Sequence, residues 1–426
     1  MSSSQSEHDS DIPKFAEVLD QTPEQEQWPL IRGWLHKYPQ PFNRFLRQKH
    51  RVYSTPDCEL ISHYDDVVAA LGLPEIFSVQ LYKPKMGSYL MTEDNTPVHN
   101  EDKEIMHALL KQEDLSLTRE RVADICEQLL SNKQNMDLVA EYTRHVPAMM
   151  VQKVFGLDGP SPEALIRYSY WNQYSAFRNQ HFHVAGDSKK IEKSKLYSNI
   201  RAAFFIGSVV LRKLWKIKTG KPDDDTVTRL LQQEFPRHGG LEIYRKALNA
   251  GGLLIGAVET TSEAVVHVMD ELRKRPEILA LAKSYAQQSD DVDVFDRLVW
   301  ECLRQRPIAP YIFRKMASDF TMEHADGTQT QFKKGQTVLC LISSAMFDES
   351  AFPNPDAFDI SREFGKSFHF GFGHHTCLGI AFGKILIPEM VRQLCKKPNI
   401  DSIGEFQYRG LPFPESMSIS WSGATR

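Results

Sequence analysis

The segment Phe370-Gly371-Phe372-Gly373-His374-His375-Thr376-Cys377-Leu378-Gly379 concentrates more chemistry than any other stretch of the chain. It reads as a glycine-interrupted loop that delivers a cysteine to the start of a helix. A helix N-terminus favours a thiolate through its dipole and its unpaired amides. Gly371 and Gly373 let the backbone approach a flat partner and aim N–H groups at the sulfur. Phe370 can shield the sulfur from water. Gly379 removes a side chain where the helix would press on that partner, and His375 can donate to an anionic group. A lone cysteine in such a loop is usually a buried core residue. The length of the pattern F-G-x-G-x-H-x-C-x-G weighs against that plainer account.

A second constellation sits in GGLLIGAVETTSEAVVHVMDEL, an apolar stretch interrupted by Glu259-Thr260-Thr261. An acid beside an alcohol can hold a water and move a proton. The plain alternative is a core helix whose threonine bonds back to its own carbonyls. Gly251, Gly252 and Gly256 are poor helix formers within it. Further on, Glu301-Cys302-Leu303-Arg304 puts two opposite charges on one helical face. Pro307, Pro310 and Arg314 follow, then FPNPDAFDISRE with Arg362. Upstream, Pro97-Val98-His99 opens a helix, with Lys103 one turn later.

These groups need a large scaffold, and composition supplies one: 426 residues, 41% hydrophobic and 25% charged. The net charge of −4 excludes a global basic field, so neither nucleic acid nor a membrane is an expected partner. The N-terminal MSSSQSEHDSDIPK has no secretory pattern, and no apolar run is long enough to span a bilayer, which makes the expected location cytoplasmic. Six cysteines, at 58, 126, 302, 340, 377 and 395, show no C-x-x-C pair and no iron–sulfur spacing. Most of them read as small core residues.

Residues 1–12 read as disordered. Two short strands around Val52-Tyr53 and Leu60-Ile61 precede a helix through Val67, Val68 and Leu71. Residues 81–98 read as a loop, and helical periodicity then dominates for most of the chain's middle. A last helix begins near Cys377, with a kink expected at Pro388. Short strands follow from Ser402 to Trp421 around a Gly410-Leu411-Pro412 turn. The expected fold is mainly α with small β portions, a single domain over residues 13–426.

The cysteine loop resembles that of the cytochrome P450 family, in which a cysteine thiolate ligates haem iron. Together the matching motifs run from residue 97 to 379. The resemblance implies that haem b lies between the long distal helix and the cysteine-loop helix, with Cys377 on the iron. It makes His99, Lys103, Arg314 and His375 propionate contacts, and Phe370, Gly371, Gly379 and Ala257 neighbours of the cofactor. Lys103 departs from the family's usual arginine and lacks its bidentate fork. Glu301, Arg304 and Arg362 would form a structural ion network. Thr260 would hold an ordered water, and Glu259 would link that water to solvent as a proton relay. The implied activity is monooxygenation of a small organic substrate by dioxygen, as hydroxylation or oxidative O-demethylation. Residues 73–96, Arg167 to His183 and Ile308 to Tyr311 would line the substrate pocket. Electrons would come from a ferredoxin and its reductase, docked near Lys111, Lys384, Arg392, Lys396 and Lys397, with the chain itself a monomer. A peroxide-driven peroxygenase and a non-catalytic haem- or partner-binding protein are the alternatives. The retained Glu259-Thr260 pair and Cys377 argue against both.

Overall fold

The computed structural model describes residues 13–110, 115–178, 189–235, 242–288 and 292–422. The N-terminal residues 1–12 lie outside these, as do Lys111, His181, His183 and the side chain of Arg178.

In chain order, helices α1 (Phe15–Gln21), α2 (Glu24–Lys37) and α3 (Pro39–Lys49) lead into strands β1 (Val52–Ser54) and β2 (Glu59–Ile61), helix α4 (Tyr64–Gly72) and strand β3 (Phe77–Ser78). A long helical stretch follows: α5 (Pro97–Leu109), α6 (Thr118–Leu130), α7 (His145–Met150), α8 (Pro162–Gln173), α9 (Lys189–Lys218), α10 (Thr226–Gln232), α11 (Glu242–Lys274), α12 (Pro276–Gln287) and α13 (Val292–Gln305). One short strand, β4 (Asn135–Asp137), interrupts it. Strands β5 (Ile312–Met316), β6 (Phe320–Glu323), β7 (Gln329–Phe332) and β8 (Thr337–Cys340), helix α14 (Ile380–Cys395) and strands β9 (Asn399–Ile403) and β10 (Ser418–Ser422) complete the chain.

These elements fall into two compact units. The first takes its described residues from Met1–Leu81, Ala309–Phe358 and Gly365–His375. Its sheet has the order β1-β2-β8-β5-β3. Val52 pairs with Ile61 in the antiparallel β1–β2 hairpin, and β2 runs parallel to β8 with Leu60 opposite Leu339. Ile61, Val67, Phe77, Met316, Val338 and Phe368 pack into its core. The early strands and helix α4 thus follow the alternation and spacing seen in the sequence.

The second unit takes its described residues from Tyr82–Ile308, Asp359–Phe364 and Thr376–Arg426. Its strands form the sheet β4-β10-β9. No local pattern announces β4, because its partner is distant: Asp137 pairs with Ser418. The expected loop over 81–98 contains a short helical turn, Lys83–Met86. At the start of α5, Thr96 accepts a hydrogen bond from the His99 amide at 3.3 Å and Pro97 takes the first helical position. That cap sets His99 and Lys103 one turn apart on the same face. Helix α14 runs through Pro388 without ending.

Candidate active site

The cysteine loop divides between the two units, and each part has its own contacts. In the first, Tyr64 of α4 packs on Phe368 with ring centroids 5.4 Å apart, and Phe368 packs on Phe372 at 5.9 Å. Gly371 and Gly373 have φ of 73° and 62°, a region that side-chain-bearing residues rarely adopt. A Cβ on Gly373 would also stand 3.3 Å from the carbonyl oxygen of Leu71. Both glycines are therefore needed for the turn that leads to His375. Phe370 and His375 are half-buried in this loop. Arg314, on β5, is 4% exposed, and its side chain donates to the carbonyl of Phe313 at 2.8 Å. It has no carboxylate partner among the described residues, and its Nε is buried without an acceptor.

In the second unit, Cys377 precedes Gly379, the N-cap of α14. The other five cysteines are buried, whereas the Cys377 side chain is exposed. Burial pushes its thiol up all the same, while the Gly379 amide and the Lys103 ammonium pull it down. Both facts hold if the sulfur is open at its surface and surrounded by protein at longer range. Lys103 is half-buried and lowered by desolvation, with Cys377 acting against that shift. His99 is buried, and its Nδ1 lies 2.5 Å from the carbonyl oxygen of Leu90.

Helix α11 carries the acid–alcohol pair, but the two side chains face different ways, as neighbours 100° apart on a helix must. The Thr260 hydroxyl donates to the Gly256 carbonyl at 2.6 Å. Its lone pairs stay open to accept from a donor. Ala257 is half-buried in the same turn, and beyond its chain neighbours and its own stretch of helix backbone nothing lies within 4 Å of where a Cβ on Gly256 would stand. Glu259 is 1% exposed and meets Arg144, whose Nε donates to it at 3.0 Å. Arg144 also donates to Glu415 at 3.0 Å and to the Pro414 carbonyl at 2.9 Å. Its guanidinium lies over the Tyr170 ring, and the Tyr170 hydroxyl donates to Glu415 at 2.8 Å. Burial raises the Glu259 carboxyl to about 7 despite Arg144, with Glu415 and Glu263 adding to the rise. Burial works against the Arg144 charge, but Glu259 and Glu415 outweigh it and raise that group above its ordinary value. The two directions agree: Arg144 keeps its proton, and Glu259 is poised between forms.

Sequence reasoning missed Arg144 and Glu415. Arg144 follows a wide π turn, Val139–Thr143, and Glu415 lies near the chain's end. No local pattern links either to Glu259. It also assigned Tyr170 to the substrate pocket, whereas this ring packs on Phe413 at 5.0 Å and serves the Arg144 network.

Glu301, Arg304 and Arg362 meet in one buried cluster. Arg304 grips Glu301 through two bonds of 2.8 Å, and the Arg362 Nε lies 3.6 Å from the same carboxylate. The Asp359 amide also donates to Glu301, at 3.1 Å. Such a buried cluster fixes geometry more than it adds net stability. One expectation needs correction. Arg392, named as a docking residue, is buried, donates to the carbonyls of Tyr285 and Val292, and lies over the Phe295 ring. It is a structural cation because its turn of α14 faces inward. Lys384 and Lys396 are exposed.

The residues present fit a haem. An open cysteine sulfur stands at a helix start, and no side chain fills the turn at Gly256. Arg314 is a buried cation lacking an anion among the described residues. The sequence profile of the family described as Cytochrome P450 matches residues 80–391. Putative cytochrome P450 YjiB of Bacillus subtilis (strain 168) is 23% identical over 329 residues, covering 76% of this chain and 77% of the relative. Cyclomarin C epoxidase CymV of Salinispora arenicola (strain CNS-205) is 25% identical over 360 residues, covering 80% of this chain and 84% of the relative. The crystal structure of CalO2 shares the fold, with a TM-score of 0.76, 19% identity, and coverage of 91% of this chain and 97% of that one. The profile match spans well over half of the chain, which belongs to the cytochrome P450 family.

Proposed function

We propose that Cys377 is the iron ligand and that the chain inserts one oxygen atom from dioxygen into a small organic substrate, as a hydroxylation or oxidative O-demethylation. As a family member it is a monooxygenase with haem as its cofactor. When bound, the haem supplies the oxygen activation and the oxidising power. The observation that carries the reading is the occurrence, within one compact unit, of an exposed Cys377 at a helix start and a buried Glu259 beside Thr260. Cys377 receives the Gly379 amide and the Lys103 charge. His99, Lys103, Arg314 and His375 would hold the propionates, with Arg314 gaining the anion it lacks among the described residues. Phe370, Gly371, Gly379 and Ala257 would pack against the ring. Thr260 accepts a hydrogen bond at its oxygen and so positions a water. Glu259 supplies the proton, and Arg144, which keeps its own, holds Glu259 in place by bridging it to Glu415, whose side chain is 17% exposed.

The test is spectroscopic. The purified holoprotein, titrated with a panel of small molecules, is expected to shift its Soret band from low spin to high spin with the ligands that displace distal water. Product formation with those ligands, dioxygen and a ferredoxin system completes the test. A chain that takes up no haem, or that turns over only with peroxide, overturns the reading. CymV is named as an epoxidase, and epoxidation would use the same residues.

The electron donor in this reading is a separate acidic ferredoxin. Lys384 is exposed and lies over the Phe364 ring at 4.0 Å, which holds its charge in place. Lys384→Glu is expected to slow ferredoxin-dependent reduction by about five-fold at low ionic strength and to weaken its salt dependence. Stopped-flow reduction at several salt concentrations checks this. An unchanged rate removes Lys384 from the docking surface.

A further inference from the structure

Helix α9 is apolar on both sides. Its inner side buries Phe205, Ile206, Val209 and Val210. Its outer side carries Tyr197, Ile200, Phe204, Leu211 and Trp215, with exposures of 51, 49, 76, 70 and 65%. At 100° per residue these five lie within about 60° of one another, a straight ridge about 27 Å long. A helix that is apolar all round is normally covered on both sides.

The charges say what covers it. Within Lys189–Lys218 there are nine Lys or Arg and one acidic residue, Glu192, in a chain whose net charge is −4. Several are neutralised on the inner side and flanks. Lys213 contacts Asp223 and Asp225, Lys216 contacts Asp223, Arg212 contacts Asp158, and Lys195 contacts Glu192. Lys189, Lys193 and Lys218 are exposed and share the ridge's face, two before Tyr197 and one after Trp215. Exposed Arg201 flanks it and donates to the Tyr197 hydroxyl at 3.0 Å. No acidic residue stands on that face.

We propose that this face of α9 lies in the surface of an anionic lipid membrane. Its aromatic and aliphatic centre would enter the headgroup–acyl boundary while the terminal lysines meet lipid phosphates. A second copy fits worse. Two such faces packed together, in either direction, set cationic ends against cationic ends with no carboxylate between them. A protein groove fits worse as well, because side chains this exposed stand proud as a ridge, and lipid accepts a ridge without shape complementarity. The association is peripheral, since no described helix is long and apolar enough to cross a membrane.

Vesicle flotation of the holoprotein tests it, comparing phosphatidylcholine alone with phosphatidylcholine containing phosphatidylglycerol. Binding is expected to the anionic vesicles at low ionic strength and to fall as salt rises. Phe204→Glu, Leu211→Glu and Trp215→Glu together should weaken partitioning by about 10²-fold. Lys189→Glu and Lys193→Glu should each weaken it by about five-fold. An unchanged Soret spectrum certifies the fold of each variant. Single Leu211→Glu serves if the triple variant loses haem. The proposal is overturned by absence of binding to anionic vesicles at low salt, or by equal binding to both compositions. It is also overturned by variants that bind like the parent, or by a concentration-dependent dimer that Leu211→Glu dissolves without any vesicle binding.

Discussion

Cys377→Ser abolishes oxygenation and removes the red-shifted Soret band of the reduced, carbon monoxide-bound protein: this is the largest effect expected of any single substitution. Serine keeps the shape of the side chain and the hydrogen bond from Gly379, so the fold should survive. What it loses is the thiolate that, as the proposed ligand, would supply electron density to the haem iron. No other cysteine can replace it. Cys58, Cys126, Cys340 and Cys395 are buried, and burial pushes each thiol up to about 12. Cys302 is also pushed well up by burial. Turnover should fall by about 10³-fold or more, equivalent to a barrier about 4 kcal/mol higher. Alkylation gives an independent measurement. Iodoacetamide should label Cys377 before the other cysteines in haem-free protein, and haem loading should block it. A Cys377→Ser protein that retains the thiolate band, or a parent in which haem leaves Cys377 alkylation unchanged, would refute the assignment.

The parts of the site that were legible in the sequence are those with short-range patterns. The cysteine loop is contiguous, and its glycines are needed by backbone geometry: Gly371 and Gly373 occupy positive φ. Glu301 and Arg304 lie one turn apart on α13, so their spacing announces their contact. Strands β1 and β2 form a local hairpin and followed from alternation alone. What escaped was long-range. Arg144 reaches Glu259 across 115 positions and Glu415 across 271, and β4 awaits a partner near the chain's end. Arg392 shows the complementary failure. A charge on a helix was taken for a surface charge, yet Tyr285 and Val292 carbonyls, Asp296 and Glu389 make it a core residue. The ridge on α9 was hidden for a related reason. Apolar residues at helical spacing usually mean core, and only the observed exposure separates an outer stripe from an inner one.

Glu259→Gln should lower turnover by about 10²-fold and raise the reductant consumed per product, because proton delivery is the step proposed for this carboxyl. Glutamine keeps the size and one hydrogen bond to Arg144 but carries no exchangeable acid. The pH profile separates a proton donor from a packing residue. Desolvation holds the parent carboxyl at about 7, so its donor form is lost as pH rises through that value. Turnover of the parent should therefore decline above about pH 7, and that inflection should vanish in Glu259→Gln. Stability carries the same sign. A carboxyl raised from 4.5 to about 7 binds more protons in the folded chain than in the unfolded one between those values. Its contribution thus weakens as pH rises across that window, opposite to an ordinary salt-bridged carboxylate. Arg144→Gln acts through the same group. Without the guanidinium, the buried Glu259 carboxylate loses its one cationic hydrogen-bond partner, a loss of about 3–5 kcal/mol where a buried pair is broken. The carboxyl answers by holding its proton to higher pH, so the inflection should move upward rather than disappear. Glu415→Gln should move the inflection slightly downward, since the Glu415 charge adds to the rise of the Glu259 carboxyl. An inflection that stays at about 7 in both Glu259→Gln and Arg144→Gln would assign the titration to another group and remove Glu259 from the proton path.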